Sequence, residues 1–483
     1  MSYSMTRTAQ DFTPRTRPLP HQREAIEYVV ENRAAALFDE QGLGKTKIII
    51  DAFAQLMSSG QIDAALVIAP MGLVFNWEAE IGKHSNLVPV VLRGTGRTRK
   101  YRFLSGANFY IANYEAVSSR REIFRKLVQT RRFAIALDEA TRIKDPSTET
   151  AQAIFDISES AVHRAIMTGT PIANRPVDIW AQYYFLDRGK LLGTDHAAFA
   201  CRYDPDSEGV EDRLEDLSSL VRANSIRRLK NDVLELPDKL FIDHEIRLAG
   251  AQKTMYDSCA QDLIVELRSA AGVVELREVD NILERLLRLV QIASNPGLID
   301  FQFAGPIAKL DYLDTLCDEL LGSHEKLIIW SGFVDNIETV VGRLHRYNPL
   351  RIHGGVGIDE RAQVVRAFQE GSSCRVLVAN PAAAREGLTL TRASAAIYLD
   401  RGFNLVDYLQ SQDRIHRIGQ TRQCEIHKLV AVGTVDEYVD AVIELKQSIA
   451  EFVYRPDVGR REQVIQLRDE KAEILRFLGE AET

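Results

Sequence analysis

Short, wholly apolar runs recur along this chain between stretches of helical periodicity, and that alternation constrains the fold more than any other feature. Within residues 33–169 the runs are AAALF from Ala34, AALVIA from Ala64, FYIA from Phe109, FAIAL from Phe133 and AIMT from Ala165. A strand with no polar face must be covered on both sides, which predicts a parallel α/β sheet joined by crossover helices. From Lys326 the rhythm returns in KLIIW, then RVLVA from Arg375, AAIYL from Ala395 and IHKLVA from Ile426. Two α/β lobes are therefore expected, alike in pattern but without a sequence repeat.

The stretches around these runs read differently. Residues 251–293 are helical in pattern, with Leu283, Leu286, Val290 and Ala293 on one face, and are expected to pack between or upon the lobes. Residues 204–216 are acidic and poor in apolar side chains, as in a solvated insertion loop. The stretch FQFAGP before Ala308 reads as an inter-lobe hinge. From Arg461, Val464, Leu467, Ile474, Leu475 and Leu478 form an apolar stripe among charges, the pattern of a brace helix. The expected division is a first lobe over 1–240, a helical insertion and linker over 241–305, a second lobe over 306–455 and the brace over 456–483.

Composition excludes several classes. The 483 residues are 45% hydrophobic and 27% charged, which fits soluble globular domains and not disorder. A formal net charge of −8 means that any polyanion site must be local. The five cysteines, Cys201, Cys259, Cys317, Cys374 and Cys424, form no CxxC pair and read as reduced core thiols. His353, His416 and His427 lack metal-ligand spacing, so no zinc is expected. The N-terminal residues have no apolar signal core and no run spans a bilayer, which predicts a cytoplasmic protein without a membrane partner.

The residues Gly42-Leu43-Gly44-Lys45-Thr46 follow the first apolar run and open a helical pattern. Glycines let backbone N–H groups wrap a phosphate, and the helix N-terminus adds about +0.5 charge. Lys45 is placed to reach the β and γ oxygens, and Thr46 to hold Mg²⁺. The pattern GxxxxGK[ST] wants glycine at position 39, where this chain has Asp39. Roughly 90 residues later, FAIAL ends in Asp138-Glu139, and adjacent carboxylates at the end of a buried strand need a cation beside them. Asp138 is expected to hold the water shell of Mg²⁺, and Glu139 to polarise the water attacking a γ-phosphate.

These motifs sit in a longer ordered set that resembles the Swi/Snf-type ATPases of helicase superfamily two. The set comprises DEQGLGKT from Asp39, VIAPMGLVFNWEAEI from Val67, ANYEAV from Ala112 and DEATRIKDPSTETAQA from Asp138. It continues with MTGTPIANRPVDIWAQYYFL from Met167, SIRRLKNDVLELPDK from Ser225, KLIIWSGF from Lys326 and QSQDRIHRIGQ from Gln410. The resemblance implies two RecA-like lobes that clamp ATP between them and grip double-stranded DNA. It implies that Arg414 and Arg417 act as arginine fingers, and that Gln22 reads the adenine edge. It further implies that Thr168, Gly169 and Thr170 couple phosphate state to DNA grip. DNA contacts are expected at Met71, Asn76, Asn113, Tyr114, Ser331, His353, Asn380 and Thr389. Arg227, Arg228, Lys230 and the run RGTGRTRKYR from Arg93 are expected to add charge, while Trp77 reads as core packing or a base stacker. Arg414 and Arg417, at i and i+3, would share one helix face.

The chain departs from the family pattern at Thr141, where histidine is usual, and at Arg385 within AAAREGLTL. The implied activity is an ATP-driven motor on double-stranded DNA, with ATP and Mg²⁺ as cofactors. A strand-separating DNA or RNA helicase, a motor subunit of a larger DNA-processing or defence complex, and a non-catalytic scaffold are the alternatives. The length leaves no room for an added nuclease, methyltransferase or histone-reading segment, so a prokaryotic or phage motor aimed by a targeting protein is expected.

Overall fold

The computed structural model describes residues 14–92, 102–103, 105–172, 175–203, 210–269, 276–383 and 388–454. The expected brace over 456–483, Arg385 and the basic run from Arg93 up to Tyr101 lie outside the described residues. The chain divides into two units, the first covering the described residues up to Glu235 together with those from Ser448, and the second running from Leu236 to Gln447.

In the first unit the strands are β1 (Ala34–Leu37), β2 (Ala64–Ala69), β3 (Val90–Val91), β4 (Phe109–Asn113), β5 (Phe133–Asp138) and β6 (His163–Met167). They form one sheet in the order β1-β6-β5-β2-β4-β3, with every ladder parallel. β2 is buried at all its positions, as a central strand covered by helices must be. Each fully buried Val, Leu or Ile there contributes about 1.5–3 kcal/mol. Parallel registers bring strand ends out level: Ala69 pairs with Asn113 and Asp138 with Met167. Loops that follow these carboxyl ends are where open α/β sheets bind ligands.

The second unit repeats the plan with β7 (Lys239–Ile246), β8 (Leu327–Trp330), β9 (Leu350–Ile352), β10 (Val376–Ala379), β11 (Ala395–Tyr398) and β12 (Cys424–Ala431). The order is β7-β12-β11-β8-β10-β9, again all parallel. Counted from the first strand of each unit, the two sheets share one strand order. Two α/β lobes with parallel sheets are what the apolar runs predicted.

The departures have physical reasons. β3 and β9 are too short to print an apolar run. β7 is an edge strand whose pattern KLFIDHEI leaves Leu240 and Phe241 exposed, so it reads as polar, and it supplies a strand from the stretch expected to be helical linker. The second sheet therefore begins at β7, and FQFAGP is a loop inside the second unit, not a hinge leading into it. The acidic stretch is helical from Val210 to Ala223, because Leu214, Leu217 and Val221 recur at helical spacing and are buried. Residues 251–293 form the helices Gly250–Ser269 and Leu276–Ser294. Their apolar stripe, Leu286, Val290 and Ala293 included, packs with Leu405, Ala431, Val435 and Tyr438 of the second unit.

Candidate functional site

The loop after β1 turns into the helix α2 (Lys45–Ser58) through Gly44, whose φ of 82° lies in the left-handed region. A Cβ at this position would lie 2.3 Å from the Gln22 amide nitrogen, so only glycine fits both the backbone and the neighbour. Asp39, where the phosphate-loop pattern has its first glycine, is absent from the positive-φ residues, and a side chain is tolerated there without strain. The Lys45 ammonium folds back over its own loop, donating to the Asp39 carbonyl at 2.6 Å and the Glu40 carbonyl at 3.3 Å. Thr46 follows in the first turn of α2.

Asp138 ends β5, half-buried where the rest of the strand is buried. The Trp77 indole N–H donates to its Oδ2 at 2.7 Å, the Glu139 N–H to its Oδ1 at 3.0 Å, and the Tyr114 hydroxyl to its carbonyl at 2.9 Å. Burial pushes the Asp138 carboxyl above its ordinary value, opposed by the Trp77 hydrogen bond and the Lys45 charge. Glu139 adopts φ 52°, a left-handed conformation that costs a non-glycine residue about 1–2 kcal/mol and so points to a functional demand. The Gln41 amide donates to its Oε1 at 3.0 Å.

Two residues carry this geometry beyond the sequence expectations. Trp77, on α3 (Val74–His84), is fully buried and serves as a hydrogen-bond donor to Asp138, so it is no base stacker. Gln41 joins three motifs at once: besides holding Glu139, its backbone and Cγ lie where a Cβ on Gly169 would fall, at 3.2 and 2.7 Å. Gly169 is thus required by close approach to the phosphate loop. Thr168 is buried and its hydroxyl accepts from the Thr170 N–H at 3.2 Å. Thr141 lies in the short turn Ala140–Ile143 after Glu139.

Gln22 lies in α1 (Pro20–Glu31) beside the loop, and both ends of its amide are engaged. Its Nε2 donates to the Leu43 carbonyl at 3.1 Å and its Oε1 accepts from the Leu19 N–H at 3.0 Å. Arg228 and Lys230 are corrections. Lys230 is buried against Glu40, and Arg228, half-buried, turns its guanidinium onto the fully buried Asp39, with Glu24 3.6 Å away.

The expected DNA contacts divide in the same way. Met71 is exposed and Asn76 half-buried at the carboxyl end of β2. Asn113 and Tyr114 are buried instead: the Asn113 amide donates to Glu115 at 2.6 Å, and burial drives the Tyr114 hydroxyl well above its ordinary value. In the second unit Ser331 is buried and donates to Asp400 at 2.6 Å. His353 accepts the Gly355 N–H at 3.2 Å, and Asn380 donates to the Gly332 carbonyl at 2.8 Å, both half-buried beyond β9 and β10.

Arg414 and Arg417 do not share a helix. The helix Leu405–Gln412, capped by the Asn404 side chain, stops before them. The chain is drawn into turns where Gln420 donates to the carbonyls of Thr391, Ala393 and Ile415, and where a His416 ring nitrogen lies 2.8 Å from the Pro237 carbonyl. Both arginines still face one loop: Arg414 donates to the Leu388 carbonyl at 3.4 Å and Arg417 to the Thr389 hydroxyl at 3.1 Å.

The donor set of the first unit suits a nucleotide triphosphate with Mg²⁺. An ammonium, a helix N-terminus and glycine-exposed N–H groups are donors that phosphate oxygens could accept, while the Thr46 hydroxyl and Asp138 carboxylate offer hard oxygens that could hold the ion. No helix among the described residues is long and apolar enough to cross a membrane.

The SNF2-related domain matches residues 21–298 and the helicase conserved C-terminal domain residues 308–419. The putative ATP-dependent helicase/translocase YwqA of Bacillus subtilis is 28% identical over 452 residues, covering 89% of this chain and 48% of its own length. The human DNA repair and recombination protein RAD54-like is 26% identical over 490 residues, covering 87% of this chain and 64% of its own. The chain thus spans about half to two thirds of these curated relatives. The Sulfolobus solfataricus SWI2/SNF2 ATPase core, solved in complex with dsDNA, aligns over 96% of this chain and 97% of its own at 25% identity, with a TM-score of 0.44.

Proposed function

Because this chain belongs to the SNF2-related family, we propose that it hydrolyses ATP and uses the cycle to move along double-stranded DNA. The observation that carries the reading is the placing of the Lys45 ammonium, in the loop after β1, near enough to the half-buried Asp138-Glu139 pair at the end of β5 for its charge to act on Asp138. Lys45 leaves its loop carbonyls to hold the β and γ oxygens of ATP. Glu139, turned by its left-handed backbone and steadied by Gln41, orients a water and takes its proton as the water oxygen bonds to the γ-phosphorus. The bond to the bridging oxygen breaks, giving ADP and phosphate. Thr46 and Asp138 would hold Mg²⁺, partly through water, and the ion would neutralise charge on the transferring group. Trp77 fixes the Asp138 carboxylate.

Arg414 and Arg417 are proposed as phosphate-facing guanidiniums on the strength of their motif, and Thr168-Gly169-Thr170 as the coupling element through its packing on Gln41. The names of the relatives, a helicase/translocase and a DNA repair protein, support DNA as the track. Asn76, His353, Asn380 and Thr389 remain the proposed phosphate contacts; Asn113, Tyr114 and Ser331 are withdrawn because their side chains are buried and bonded internally.

ATPase rates with duplex DNA, single-stranded DNA and RNA test the reading. Duplex DNA is expected to stimulate most, and third-strand displacement to proceed without unwinding of a forked duplex. Unwinding of the fork would favour the strand-separating alternative, and wild-type rates in Lys45→Ala would sink the ATPase itself.

A further inference from the structure

We propose that Arg228, seconded by Lys230, is a positioning residue for the phosphate loop and not a DNA contact, an inference that rests on the nucleotide reading above. Asp39 is fully buried, and a buried carboxylate is costly unless a cation meets it. The Arg228 guanidinium meets it as a fork, Nε to Oδ1 at 3.0 Å and Nη2 to Oδ2 at 2.5 Å, and donates a further hydrogen bond to the His21 carbonyl in α1. On the next residue the Glu40 carboxylate accepts the Lys230 backbone N–H at 2.7 Å, with the Lys230 ammonium 3.7 Å away. The backbone runs the same way: Ile226 N–H donates to Ala36, Phe38 N–H to Ile226 and Glu40 N–H to Arg228, at 2.9–3.0 Å.

The clamped residues are the ones whose carbonyls hold the Lys45 ammonium, Asp39 at 2.6 Å and Glu40 at 3.3 Å. A line of fixed contacts therefore runs from Arg228 through Asp39 to Lys45. It explains how the loop tolerates an acid in place of its first glycine: the side chain is used to anchor the loop from outside. It also separates the roles of the basic segment. Arg228 and Lys230 act on nucleotide through the loop, and their charges are spent inside the first unit.

The test is titration of a fluorescent ATP analogue with Mg²⁺ into the full chain without DNA, alongside duplex binding across a salt series. Arg228→Ala is expected to weaken the analogue about tenfold or more, since a lost bidentate fork is not replaced by a neighbour. Duplex affinity and its salt slope should stay as in the wild type. Arg228→Lys, which keeps charge but loses the fork, should fall between. Asp39→Asn, nearly the same size as aspartate, should reproduce the loss, and the double variant should be no worse than the poorer single one. In turnover, KM for ATP should rise by a larger factor than kcat falls. If Arg228→Ala fails to fold, Asp39→Asn and Arg228→Lys carry the test. Wild-type analogue binding in those variants overturns the inference, as does a duplex salt slope reduced by about one with analogue binding intact. Lys45→Ala separates this from the larger reading: if it too binds the analogue normally, the nucleotide site itself is wrong, whereas its loss beside a normal Arg228→Ala condemns only the clamp.

Discussion

The two sheets use one strand order, and each carries an aspartate at the carboxyl end of the same strand by position, the half-buried Asp138 on β5 and the buried Asp400 just past β11. Burial raises both carboxyls above their ordinary value. Their surroundings differ. Asp138 is met by the Trp77 N–H, the Glu139 N–H and the charge of Lys45. Asp400 is met by the Ser331 and Ser294 hydroxyls, the Asn336 amide and the Gly332 N–H, with the Lys309 charge nearby. A carboxylate offers about four acceptor sites; four donors meet Asp400, three of them on Oδ2, while Asp138 receives one on each oxygen and keeps more capacity for a ligand. The same scaffold position thus makes a structural knot in one unit and a candidate catalytic carboxylate in the other.

The sharpest way to break that contrast is to remove one acid in each unit, Glu139 next to Asp138 in the first and Asp400 itself in the second. Glu139→Gln is expected to lower ATP turnover by about 10²–10⁴, the usual range for a positioned base, with unfolding of either unit little changed. Asp400→Ala should do the reverse. It strands two hydroxyls, an amide and a backbone N–H in the core of the second unit, which costs about 3–5 kcal/mol in denaturant unfolding followed by a probe in that unit. Equal turnover losses in the two variants, each folded, would erase the distinction.

A smaller effect sharpens it further. Trp77→Phe removes the donor to Asp138 Oδ2, an unmade buried hydrogen bond worth about 1–3 kcal/mol, and also leaves part of the buried indole volume empty, so stability should fall on both counts. Because the lost donor also favoured the ionised form, the variant should need more Mg²⁺ for half-maximal turnover than the wild type does. Lost stability with unchanged Mg²⁺ demand would return Trp77 to simple core packing.

What was legible in the sequence follows the range of each interaction. The nine apolar runs are strands because a doubly covered strand leaves its mark on consecutive residues, and GLGKT and Asp138-Glu139 stand at strand ends for the same reason. The edge strand β7 was missed because one ladder and a solvated face produce no such mark. The partners of the site were not legible either. Trp77 lies 61 residues from Asp138, Gln41 lies 98 from Glu139 and Arg228 lies 189 from Asp39, so only the folded chain brings them together. An acid where a phosphate loop has glycine, with a basic segment elsewhere whose charge could answer it, is the one signal that could have suggested the clamp. The shared helix face given to Arg414 and Arg417 failed because i and i+3 spacing says nothing about where a helix stops.

The smallest expected effect separates the units by pH. In the second unit a ring nitrogen of His244 lies 2.9 Å from one of His427, and the other His244 nitrogen lies 2.8 Å from the Tyr312 hydroxyl. Burial lowers both histidines below their ordinary value; beside them, Asp243 and Glu319 pull His244 upward, and Glu425 pulls His427 upward while His324 opposes it. With the folded pKa depressed, the unfolded chain binds more protons as pH falls through about 6.5, so stability rises with pH there. The contribution is present above the unfolded value and is lost as pH falls through it, down to the folded value. The unfolding midpoint of the second unit should therefore drop between about pH 7.5 and 5.5, and His244→Gln should flatten that drop. The first unit holds His84 and His163, also lowered by burial, so His244→Gln must leave its pH dependence untouched for the pairing in the second unit to be the cause.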